Sequence, residues 1–202
     1  NYAKSKEIDV IVLDHHQSEI NLPEAFSIVN PNRLDDKSNL QYLCAAGVTF
    51  MFLVSLSREL RLNNWFVKKK LSEPELINYL DLVSLGTVCD VVPLIGLNRA
   101  IVKQGLKILK AKKNLGLKTL LDICKIETQP SIYHLGYMLG PRINAGGRVG
   151  KCSHGANLLL NNDAKEAFKL ASELDQFNKE RQMLEKDLLQ QILNEIKDYL
   201  NN

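Results

Sequence analysis

The run Ile8-Asp9-Val10-Ile11-Val12-Leu13 constrains this chain more than any other stretch. Its apolar and β-branched residues are nearly continuous rather than alternating. That pattern predicts a strand covered on both faces, as in a parallel sheet, and hence an α/β fold. Ligand sites in such sheets lie beyond the carboxyl ends of the strands. Asp14, His15 and His16 stand at that end, and they include two of the chain's four histidines. Taken alone, the tripeptide has two readings: a surface turn with solvated imidazoles, or a metal site. Imidazole and carboxylate suit borderline divalent ions. Side chains alternate along an extended segment, so one histidine is expected to bind metal while the other faces a substrate.

A second short apolar run, residues 25–32, stops at Asn30-Pro31. A densely apolar helix is expected over residues 40–62, well buried on most sides. Ser72-Glu73-Pro74-Glu75 has the form of a capping box opening a helix that ends near Gly86. "TVCDVVPL" then reads as a strand or extended loop. Within it Asp90 interrupts an apolar stretch. A carboxylate among valines is costly to bury unless paired or metal-bound, so Asp90 is a candidate ligand; a turn or capping aspartate is the plainer alternative. Residues 98–113 predict an amphipathic helix with Ile101, Val102, Leu106 and Leu109 inward, and its lysines read as a solvated face.

A helix starting at Ser131 is expected to break at Gly140-Pro141 into the loop "GPRINAGGRVG". Arg142 and Arg148 offer forked donors that suit phosphate, and Asn144 adds an amide that donates and accepts. The loop is a candidate phosphodiester clamp; a tight turn with paired arginines is the alternative. It is neither a Walker loop nor a Rossmann fingerprint. His134 and His154 read as packing or capping histidines. After the cap cluster Asn161-Asn162-Asp163 the sequence to Leu200 has no Gly or Pro and carries apolar residues at helical spacing. One long helix, a spacer between domains, is expected there. The division expected from these patterns is a domain over 1–160 and a connecting helix over 161–202.

Composition narrows the function classes. The 202 residues are 45% hydrophobic and 24% charged, ordinary for a globular protein. The net charge of +3 permits a nucleic-acid partner without requiring one. No apolar run reaches the length of a membrane span. The four cysteines form no C-x-x-C pair, which argues against a cysteine zinc site and fits a reducing cytoplasm.

Together "VLDHH", "LCAAGVTF", "DLVSLGTVCDVVPLIGLNR", "GPRINAGGRVG" and "ASELDQFNKERQ" resemble the RecJ exonucleases of the DHH phosphoesterase superfamily, in that family's order. The resemblance implies part of a parallel-sheet DHH domain, a helical region and a long connecting helix. It implies a two-metal, Mn²⁺- or Mg²⁺-dependent phosphodiesterase that removes nucleotides from a 5′ end of single-stranded DNA in recombination and repair. Residue by residue, His15 and Asp90 match metal ligands, Asp14 the acid that supports His15, and His16 the histidine that meets the scissile phosphate. Arg142, Asn144 and Arg148 match the phosphate- and DNA-contacting segment. The family's earlier D-x-D motif has no match before residue 14. The chain is therefore expected to be the middle of such a protein and inactive alone, with other ligands from a missing segment or a separate polypeptide. Two other functions compete: a DHH phosphodiesterase of short oligonucleotides or cyclic dinucleotides, and a non-catalytic nucleic-acid-binding fragment.

Overall fold

The computed structural model describes residues 2–200, without the side chains of residues 198 and 200. It forms two compact units, Asn1–Ile108 and Leu109–Asn202.

In the first unit β1 (Ile11–Leu13) pairs in parallel with β2 (Ser27–Val29), Ile11 opposite Ser27 and Leu13 opposite Val29. The expected parallel pairing is present. The expected burial is not: Ile8 is 58% and Ile11 50% exposed. Among the described residues the sheet has two strands, and α1 (Ala45–Leu62) is the helix packed against β1, so much of the apolar run faces water. The same shortage of neighbours leaves Leu53, Val54 and Leu56 of α1 exposed, where a well-buried helix was expected.

A short helix, α2 (Trp65–Lys69), follows α1. The capping-box residues 71–75 are not helical. Glu73 is held by the Arg61 guanidinium, with Nε donating at 2.9 Å, so it does not reach back to a helix start. A 3₁₀ turn, Leu76–Tyr79, leads instead into α3 (Leu80–Cys89). This helix runs through Gly86 and absorbs "TVC", the stretch expected to be extended. Gly86 is there for closeness: a Cβ on it would stand 2.7 Å from Ala46 Cβ of α1. Close approach to α1 thus keeps glycine inside a helix that local propensity would end. Leu80 and Val83 of α3 form the unit's core with Ile101 of α4 (Gly96–Lys110), and Ala46, Phe50 and Leu97 pack against it. Ile101, Val102 and Leu109 face inward as expected.

The second unit is helical. α5 (Leu115–Ile123) is capped by Asn114, whose Oδ1 accepts from the Leu117 N–H at 2.9 Å. A π-helical segment, His134–Leu139, runs directly into α6 (Gly140–Val149). The glycine-rich segment is therefore helix and not loop. Pro141 sits at the start of α6, where a proline costs no intrahelical bond. The glycines serve packing against α8 (Ala164–Leu200): a Cβ on Gly150 would collide with the Phe177 ring. α7 (Ser153–Leu160) completes the set. Leu117, Leu120, Leu121, Leu135, Leu139 and Leu158 are fully buried.

α8 is one helix, as its composition predicts. Asp163 Oδ1 caps it by accepting from the Glu166 N–H at 2.8 Å. Ala167, Leu170, Ala171 and Leu174 are buried, while Met183 to Ile196 present exposed apolar side chains. Because its first turns belong to this core, the division into compact units falls in α4 rather than at 160/161.

Candidate metal and phosphate site

β1 ends where the ladder still holds Asp14, whose N–H donates to the Val29 carbonyl at 3.0 Å. Beyond it the chain turns, and the two histidine rings lie near one another, centroids 4.5 Å apart. They do not diverge as an extended segment would make them. Asp14 Oδ1 lies 2.7 Å from His16 Nδ1. The carboxyl is held below the ordinary aspartate range, chiefly by this bond. Asp14 therefore orients His16, and not His15 as the resemblance implied. The His16 side chain is 78% exposed.

His15 is instead inward, its side chain 17% exposed, with Nδ1 3.4 Å from Asp90 Oδ2. Asp90 is the C-cap of α3, its N–H donating to the Gly86 carbonyl at 3.0 Å. A helix carboxyl end carries partial negative charge. The Asp90 carboxylate adds a full one, so this corner favours a cation. Next to it, burial and then the Asp90 charge push the Cys89 thiol up to about 11.

Imidazole and carboxylate at this separation fit a divalent ion as two of its ligands. No group of three or more His, Cys, Asp or Glu placed to hold a metal occurs among the described residues.

Arg142, Asn144 and Arg148 lie in the second unit, on α6. Arg142 Nε donates to Asp175 Oδ1 at 2.8 Å and Nη1 to the Met138 carbonyl at 2.7 Å. Lys179 Nζ closes on the other Asp175 oxygen at 2.8 Å. Asn144 and Arg148 stand one turn apart on the exposed side of α6. Asp175 escaped sequence reasoning because it lies in a charge-rich helix where any acid reads as solvated. Two more residues escaped it. Asn32 Nδ2 donates to the His15 carbonyl at 2.6 Å, and Asn30 Nδ2 to the His16 carbonyl at 2.9 Å. Their sequence, Asn-Pro-Asn, signalled only the end of a strand.

Residues 1–87 match the DHH family, N-terminal domain. The chain is 42% identical over 189 residues, 93% of its length, to the single-stranded-DNA-specific exonuclease RecJ of Salmonella typhimurium strain LT2. It superposes with a TM-score of 0.79 on a crystal structure of exonuclease RecJ bound to manganese, at 33% identity, covering 96% of this chain and 46% of that one. The chain belongs to the DHH family. A second DHH-family relative, RecJ of Thermus thermophilus in complex with Mg²⁺, superposes with a TM-score of 0.67 at 32% identity, over 93% of this chain and 26% of that one. The chain spans about a third of the length of the Salmonella relative (33%). No helix among the described residues is long and apolar enough to cross a membrane.

Proposed function

We propose that this chain is part of a RecJ-type phosphodiesterase, dependent on Mn²⁺ or Mg²⁺, that removes nucleotides from a 5′ end of single-stranded DNA during recombination and repair in the cytoplasm. The observation that carries the reading is the approach of His15 to Asp90 at the carboxyl end of β1. RecJ relatives have been solved with manganese and with magnesium, which supports either ion here.

In this reading His15 and Asp90 hold the ion. Such an ion supplies charge neutralisation at the phosphate and a bound water of lowered pKa. His16, oriented by Asp14 and open to solvent, meets the scissile phosphate as a hydrogen-bond or proton donor. Asn144 and Arg148 take the DNA backbone. A guanidinium has five N–H donors, so Arg142 keeps donors for phosphate beyond those used on Asp175 and Met138. Two ligands are too few for a pair of ions. The remainder come from another polypeptide or from further sequence of the same protein, so the chain alone is inactive. The exposed half of α8 serves as the connecting helix.

Replacing the corresponding segment of Salmonella RecJ with this chain tests the proposal. The chimera is expected to digest a labelled single strand from its 5′ end with Mn²⁺, and its Asp90→Ala form is not. Activity confined to dinucleotides would favour an oligonucleotide or cyclic-dinucleotide phosphodiesterase. Salt-dependent binding without turnover would favour a non-catalytic nucleic-acid-binding role. Digestion by the chain alone, lost in Asp90→Ala, overturns the claim that its site is incomplete.

A further inference from the structure

We propose that Asn30 and Asn32 are positioning residues that set the Asp14–His16 turn; the consequence for metal binding rests on the reading of His15 given above. The parallel ladder between β1 and β2 has its last bond at Asp14. Past that point β2 gives way to Asn30-Pro31-Asn32, and Pro31 has no N–H to carry the ladder on. The carbonyls of His15 and His16 thus lose their strand partner at the two residues whose direction matters most. The asparagine side chains replace it. Asn32 takes the His15 carbonyl at 2.6 Å and Asn30 the His16 carbonyl at 2.9 Å.

The two asparagines are themselves held. Asn30 Oδ1 accepts from the Asn32 N–H at 2.8 Å, bridging Pro31 in an Asx turn. This fixes which end of the Asn30 amide is oxygen, because the opposite orientation would set Oδ1 against the His16 carbonyl. Asn30 is 7% exposed, so water does not readily substitute for its donor. Asn32 Oδ1 also accepts from Gln17 Nε2 at 3.3 Å, tying in the residue after His16. Each carbonyl needs an N–H. Aspartate, though isosteric, presents oxygen to oxygen and breaks the grip.

The test uses Asn30→Asp and Asn32→Asp, with Asn32→Ala as a milder third variant should Asn30→Asp not fold. Imidazole proton–carbon NMR spectra follow the four histidines. Without metal, the His15 and His16 signals are expected to shift or broaden into exchange in the variants. His134 and His154, in the other unit, stay in place and report that the chain is folded. With added Mn²⁺, the concentration that half-bleaches the His15 signal is expected to rise at least about tenfold, as for other residues that orient a ligand. Folded variants with wild-type His15 and His16 signals and an unchanged Mn²⁺ response overturn the proposal. A wild-type His15 signal indifferent to Mn²⁺ defeats the metal reading itself, and the metal-free spectra alone then decide the positioning role.

Discussion

Asp90 Oδ2 stands 3.4 Å from His15 Nδ1, joining the carboxyl end of α3 to the carboxyl end of β1. The pair places a carboxylate, a ring nitrogen and the negative end of a helix at one corner of the first unit.

Removing Asp90 should empty that corner of its charge without unfolding the unit. In Asp90→Ala the Mn²⁺ affinity read from bleaching of the His15 signal is expected to fall at least about tenfold. The Asp90 side chain is 38% exposed. Its loss should change stability by no more than about 0.5 kcal/mol in a urea titration. A wild-type Mn²⁺ response would show that Asp90 is not a ligand.

The Arg142–Asp175 pair is a stability element whatever else Arg142 does. Both side chains are largely buried, 18% and 15% exposed. Burial pushes the Asp175 carboxyl up, but Lys179 and Arg142 outweigh it and hold the group below the ordinary aspartate value. A folded-state value below the unfolded one stabilises the native state above about pH 4. That contribution fades as pH falls through the lowered value. Asp175→Ala should therefore cost about 3 kcal/mol at neutral pH. The gap in thermal midpoint between wild type and variant should close as pH is lowered towards about 2. A gap that stays constant over that range would exclude the ion pair as its source.

Two helix glycines should respond to alanine with opposite signs. A Cβ on Gly105 would overlap the Leu80 carbonyl oxygen and Ser84 Oγ of α3, with backbone that cannot step aside. Gly105→Ala is expected to cost about 1–3 kcal/mol by overpacking. Gly147, exposed on α6, would place its Cβ no nearer than 3.9 Å to Cys152 Cβ. Gly147→Ala should stabilise by up to about 1 kcal/mol, because alanine suits a helix better. Chemical denaturation of both variants decides, and a destabilised Gly147→Ala would contradict a helical α6.

The thiols should separate by environment. Cys152 is exposed, Cys44 is buried, and the Cys89 thiol is pushed up to about 11 by burial and the Asp90 charge. At about pH 8, near the ordinary thiol value, iodoacetamide followed by peptide mapping should modify Cys152 well ahead of Cys89. Equal rates would mean that the end of α3 opens to solvent.

The sequence by itself determined whatever depends on neighbours along the chain. The run 8–13 specifies a strand, and Asp14 to His16 follow at its carboxyl end. The spacing of Ile101, Val102 and Leu109 specifies the buried face of α4. Asp163, and the absence of breakers after it, specify α8. Tertiary structure decided what depends on contact between distant segments. Glycine lowers helix propensity, so "GPRINAGGRVG" reads locally as a loop; packing against α8 offsets that cost and makes it helix. Propensity likewise ends a helix near Gly86, but close approach to α1 carries α3 on to Cys89 and sets Asp90 at its end. The partners of Arg142 and of the His15 and His16 carbonyls lie on other elements. No spacing within either segment encodes them, because hydrogen bonds of this kind are selected only once the backbone has brought donor and acceptor within about 3 Å.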